Sequence, residues 1–149
     1  MRKILAAVMI LVGVTSCEAM SLREKVGQLF LIRPDQLDTR IDLEQVHKDK
    51  LGTEGITSVN KVMLETLKDY PAGGFVLFRK NIESPSQLRK LTRTLRESCK
   101  VLPFMAVDEE GGSIARLANS KGFKLRKYKS AQAMCESGQV REAASYIAS

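Results

Sequence analysis

Tyr70 to Val107 reads YPAGGFVLFRKNIESPSQLRKLTRTLRESCKVLPFMAV, and the fold turns on this stretch. Pro71-Ala72-Gly73-Gly74 ends whatever helix precedes it, because proline has no N–H for a helix ladder and glycine weakens any regular element. Phe75-Val76-Leu77-Phe78 is then an apolar run of strand length. Ser84-Pro85-Ser86-Gln87 opens a helix, with Ser84 at the N-cap, Pro85 at the first helical position and Gln87 at the third. Leu88, Leu91, Leu95 and Cys99 recur at helical spacing and give that helix one apolar stripe. Pro103 to Val107 is a further strand. Neither strand alternates apolar with polar residues, so both are expected to be buried on two faces, and a helical crossover between them implies parallel pairing.

Working outward, SVNKVMLETLKDY carries Val59, Val62, Met63, Leu67 and Tyr70 at helical spacing and predicts an amphipathic helix before the first glycine pair. Residues 33–58 are polar with little periodicity and read as a long excursion, with a short helix near Leu43 to His47. Ser21-Leu22-Arg23-Glu24 fits a capping box opening a helix through about Gln28. A strand from Leu29 to Ile32 follows, stopped by Arg33-Pro34-Asp35. The order is strand, helix, strand, helix, strand. In such folds ligands bind at the carboxyl ends of the strands, which is where Asp108 stands.

The chain has 149 residues, enough for one ordinary domain. With 44% hydrophobic and 28% charged residues it reads as globular. A formal charge of +7 invites a nucleic-acid partner, but aromatics are 5% and tryptophan is absent, so stacking platforms are poorly supplied and no nucleic acid is expected. Arg2 and Lys3 followed by the apolar run Ile4 to Val14 form a secretory signal, too short for a comfortable membrane span. VTSC, ending at Cys17, resembles a bacterial lipobox. Residues 1–17 are therefore expected to be a signal peptide with a lipidated Cys17, placing the protein outside the cytoplasm on a lipid anchor in the cell envelope. Cleavage before Cys17 removes Arg2 and Lys3 and takes the formal charge from +7 to +5. Cys99 and Cys135 then remain and define no disulfide framework; Cys99, on the apolar stripe, is expected to be buried. The basic run Lys121, Lys124, Arg126, Lys127 and Lys129 reads as a solvated linker in preference to a headgroup-binding patch.

The last strand runs into AVDEEGGSIARL, Ala106 to Leu117. The glycines let the backbone turn tightly, and acids at a strand end can accept hydrogen bonds from hydroxyls. Arg116 could return a donor to the same place. A solvated acidic loop neutralised by Arg116 explains the same residues, and residue chemistry alone leaves both readings open.

D-E-E-G-G-S-I-A-R resembles the D-x-E-G-G-x-V-x-R motif of family-three glycoside hydrolases, in their β-N-acetylglucosaminidase (β-N-acetylhexosaminidase) branch. SLREKVGQLFLI, YPAGGFVLFRKNIESPSQLRKLTRTLRES with its Asn81 loop, LPFMAV and SAQAMCESG resemble successive parts of the same family, so the likeness covers nearly everything from Ser21 onward. It implies an α/β fold: the N-terminal portion of a TIM-type (β/α)8 barrel over residues 21–149, cut off after about three strands. It implies a retaining hydrolase releasing terminal N-acetylglucosamine from amino-sugar glycans or cell-wall fragments, without a cofactor or metal. By motif position Asp108 hydrogen-bonds sugar hydroxyls and Arg116 contacts the sugar, which is the substrate-binding pair the resemblance assigns here.

The resemblance names no catalytic residue in this chain. The family takes its aspartate nucleophile from a later strand end and its acid/base histidine, with a partner aspartate, from a later loop. Asp108 and Glu110, on an extended chain, would lie roughly 6.5–7 Å apart, beyond the roughly 5–5.5 Å of a retaining pair. His47 precedes the motif and reads as a surface histidine. Eight strand-helix units take roughly 250 residues, so the sequence is expected to be the N-terminal part of an enzyme, inactive alone. A non-catalytic remnant or glycan-binding envelope lipoprotein, and a β-glucosidase of the same family, are the alternatives; the D-x-E-G-G pattern argues against the second.

Overall fold

The computed structural model describes residues 19–41 and 55–147. The signal-like segment, Cys17, Leu43 to His47 and Gly52 lie outside the described residues. Helix α1 (Leu22–Gly27) opens on the expected capping box: the Glu24 backbone N–H donates to Ser21 Oγ at 3.2 Å, and the Ser21 N–H donates to Glu24 Oε2 at 2.7 Å. Strand β1 (Leu31–Ile32) starts two residues later than the sequence suggests. Leu29 and Phe30 still donate their N–H groups backward to Val26 and Gly27, so the chain cannot extend until Leu31.

A 3-10 turn, Pro34–Leu37, ends β1. The region read as a polar excursion is not all solvated. Leu37 joins the core and Asp35 and Asp38 are buried. Helix α2 (Lys61–Asp69) takes Asn60 as its N-cap and buries Met63 and Leu67. Tyr70, expected on that apolar stripe, ends the helix and is 66% exposed. Strand β2 (Gly74–Leu77) leads through a 3-10 turn, Arg79–Asn81, to helix α3 (Pro85–Glu97). Ser84 caps α3 as its sequence requires, and Leu91 and Leu95 are fully buried. Cys99 is half-buried, its thiol donating to the Leu95 carbonyl, and burial pushes its pKa up.

Strand β3 (Phe104–Val107) completes a parallel sheet of order β1-β2-β3, with Leu31 opposite Gly74 and Gly74 opposite Phe104. Strands adjacent in space are thus adjacent in sequence. Phe75 and Leu77 point into the core with Met63, Leu67, Leu91 and Leu95, and Ile32 and Met105 pack against it. Each such leucine contributes roughly 1.5–3 kcal/mol through burial. The expectation that the strands are buried on both faces is corrected here. Leu31 is 53% and Phe104 76% exposed, because the face opposite the core has no covering layer among the described residues.

The motif after β3 is not a simple loop. It forms a small antiparallel pair, β4 (Glu109–Gly111) and β5 (Ile114–Ala115), with an irregular register. Gly111 and Gly112 have φ of +87° and +58°, the left-handed region that side chains with a Cβ disfavour. A side chain at Gly111 would also collide with the Lys129 carbonyl. The basic linker runs past this turn, the Gly112 N–H donating to the Tyr128 carbonyl, before the short helices α4 (Ala131–Glu136) and α5 (Val140–Ile147).

Candidate functional site

Each strand of the parallel sheet delivers one side chain at its carboxyl end: Arg33 after β1, Phe78 after β2 and Asp108 after β3. The Arg33 guanidinium donates from Nε and Nη2 to Asp35 Oδ2 at 3.1 and 2.8 Å. It lies 5.6 Å from the centre of the Phe78 ring. The Arg116 guanidinium lies 6.0 Å from the centre of the same ring, within the range of cation–π attraction. Arg116 Nη2 is 3.8 Å from Asp108 Oδ2, an ion pair too long for a hydrogen bond. The two residues that the motif nominates are therefore brought together, and Asp108, 41% exposed in its side chain, keeps its acceptors accessible.

Arg116 is seated by its backbone. Its N–H donates to the Asp108 carbonyl at 3.1 Å, and its carbonyl accepts from the Ser120 hydroxyl. The next two N–H groups, of Leu117 and Ala118, donate to Glu109 Oε2 and Oε1 at 2.8 and 3.1 Å. Arg116 Nε is buried and has no hydrogen-bond partner among the described residues. Glu110, by contrast, is exposed.

Beneath these groups sits a polar network that sequence reasoning missed. Asp35 is 1% exposed and its Oδ1 accepts from the Ile56 N–H at 2.8 Å and from Asn81 Nδ2 at 3.3 Å. Buried Asn81 also donates to the Ile56 carbonyl and accepts from the Phe78 N–H at 2.9 Å, which fixes the exit of β2. Nearby, Asp38 is held below the usual carboxylate range by the Arg40 guanidinium, with Asn60 as a second donor. Arg33 could have been nominated from sequence by taking the first residue after every apolar run, as Asp108 was, whereas Phe78 closes its own apolar run and gives no such signal. Asp35 carries no such signal, since its partners lie 21 and 46 residues away.

Several cavities lie elsewhere. One of about 230 Å³, lined by Gln28, Leu67, Ala72 and Cys99, sits at the amino ends of the strands; another of about 450 Å³ runs along α3 beside Thr57 and Gln87. None of these includes Asp108 or Arg116. Strand-end geometry and motif position outweigh volume here, because the face above the sheet is open and encloses little. No group of three or more His, Cys, Asp or Glu residues among the described residues is placed to hold a metal ion.

No family model matches the chain. Among curated proteins it is 34% identical over 67 residues to β-hexosaminidase A of Pseudoalteromonas piscicida, covering 42% of this chain and 11% of that protein. It is 38% identical over 55 residues to the β-hexosaminidase of Tolumonas auensis, covering 37% of this chain and 16% of the relative. Against the β-hexosaminidase of Pseudomonas aeruginosa LESB58 it is 40% identical over 53 residues, 36% of this chain and 16% of the relative. The matched segment is thus less than a fifth of each of these relatives. The class of protein to which the motif points and the class to which these relatives belong coincide: over part of its length, this chain is similar to β-hexosaminidases.

Proposed function

We propose that this chain forms one side of the sugar-binding site of a β-N-acetylhexosaminidase of glycoside hydrolase family three, built on the first strands of a (β/α)8 barrel. The observation that carries the reading is the Asp108–Arg116 pair, 3.8 Å apart at the carboxyl edge of the sheet. Asp108 offers acceptors to sugar hydroxyls, and the partly exposed guanidinium of Arg116 offers donors. Such contacts strengthen as a sugar ring distorts toward an oxocarbenium-like transition state, which is how a binding pair contributes to rate. The three strands in sequence order fit the first part of such a barrel, whose further elements would cover Leu31 and Phe104. The ligand is a terminal N-acetylglucosamine on an amino-sugar glycan or cell-wall fragment. The retaining nucleophile and the acid/base that the resemblance calls for have no counterpart in these 149 residues.

In this reading the protein is exported and held at the envelope through an acylated Cys17. Two measurements test it. The 149-residue chain is titrated with N-acetylglucosamine and, separately, with glucose; the N-acetyl sugar should bind more tightly, and preference for glucose would favour the glucosidase alternative. The same preparation should release nothing from a chromogenic N-acetylglucosaminide. Turnover abolished by a substitution in this chain would overturn the assignment of catalysis elsewhere.

A further inference from the structure

We infer that Glu109, at the variable position of the motif, is the positioning residue for Arg116 in this chain and acts through both of its carboxylate oxygens. The inference deepens the sugar-site reading and rests on it for its functional consequence. On an extended chain Glu109 is expected to point away from the sugar, and on that basis Glu109→Gln should matter far less than Asp108→Ala. The structure adds partners that alternation does not foresee. Glu109 reaches across the β4–β5 turn, where both of its oxygens are occupied, Oε2 by the Leu117 N–H at 2.8 Å and Oε1 by the Ala118 N–H at 3.1 Å.

Three successive amides, those of Arg116, Leu117 and Ala118, are therefore anchored on two successive residues, Asp108 and Glu109. Arg116 sits at the start of this clasp, so the direction in which its guanidinium leaves the backbone is set by it. A glutamine at position 109 keeps the shape but offers one oxygen. Its NH2 would face a second N–H, donor against donor, and one of the two amides would lose its acceptor. An aspartate is one methylene shorter and cannot span both. The segment freed would be the one that carries the Arg116 side chain past Phe78 to Asp108.

The test uses the isotope-labelled 149-residue chain as wild type, Glu109→Gln and Glu97→Gln. Amide hydrogen exchange, the Arg116 Nε–H resonance and an N-acetylglucosamine titration are recorded on each. In Glu109→Gln the Leu117 and Ala118 amides should exchange at least about tenfold faster, and the Arg116 Nε–H signal should shift. Affinity for N-acetylglucosamine should fall at least about threefold, while the Leu91 and Leu95 amides keep their protection. Glu97→Gln, an exposed change on α3 remote from the motif, should match wild type in all three readouts. Unchanged exchange at Leu117 and Ala118, or an unmoved Arg116 signal, would overturn the inference. Should Glu109→Gln fail to fold, through-hydrogen-bond couplings in wild type from the two amides to the Glu109 carboxylate carbon decide it: their presence supports the clasp and their absence overturns it. If Glu109→Gln shows the exchange and Arg116 changes while the wild type binds no sugar, the positioning role is supported and the sugar-site reading is rejected.

Discussion

Replacing Asp35 by alanine should cost about 3 kcal/mol of folding stability. Its carboxylate is 1% exposed and accepts from the Ile56 N–H, Asn81 Nδ2 and two nitrogens of Arg33. Removing one partner of a buried ion pair typically costs about 3–5 kcal/mol, because the remaining charge is left unmatched. Arg33 is 20% exposed in its side chain and can recover some water, so the low end applies. The Ile56 N–H and the Asn81 amide also lose an acceptor, which keeps the figure from falling further. Asp35→Asn retains the shape and one acceptor and should cost about half as much. Urea denaturation followed by circular dichroism measures both, with the m-value checked for constancy. A loss under about 1 kcal/mol for Asp35→Ala would refute the reasoning, since it would mean that water or neighbouring groups already satisfy the network without the carboxylate.

Two further outcomes follow from single residues. Glu24 is pushed down to about 2 by the Ser21 backbone N–H, with Lys100 and the Ser21 hydroxyl adding to it; the unfolded chain therefore binds more protons than the folded one between the ordinary value of 4.5 and 2. Its contribution is complete above that window and is lost as pH falls through it, so Glu24→Gln should flatten the stability profile between about pH 5 and 2; an unchanged slope would show that the cap is not formed. Cys17→Ala should abolish labelling by a fatty-acid analogue in cells, and equal labelling of both forms would reject acylation at that residue.

How much of this was legible in the sequence depends on how far apart the interacting residues lie. The caps at Ser21 and Ser84 were readable because their partners are three residues away and the rule is local. The three strands and two crossover helices were readable from uninterrupted apolar runs and the stripe through Leu91 and Leu95. Asp108 and Arg116 were readable because the motif places one at a strand end and the other eight residues on. Asp35 was not, because an acid after a proline in a polar stretch looks solvated until Ile56 and Asn81 arrive from distant parts of the chain. The partners of Glu109 were not legible for a related reason. Alternation along an extended chain gives the direction of a side chain, but it does not foresee that the chain folds back within five residues to present new donors. Tyr70 and Leu29 fell outside their elements because end residues respond to the turn that follows as much as to the periodicity that precedes.

The central claim is that Asp108 and Arg116 share one sugar. The most direct measurement is the affinity of the 149-residue chain for N-acetylglucosamine in wild type, Asp108→Ala, Arg116→Ala and the double variant. A charge-assisted hydrogen bond contributes about 1.5–3 kcal/mol, and with Asp108 41% exposed the lower figure applies, so each single change should weaken binding about tenfold. Because both side chains would hold the same ligand, the double variant should lose less than the product of the two. Wild-type binding that survives Asp108→Ala unchanged, or losses that multiply in full, would contradict the account.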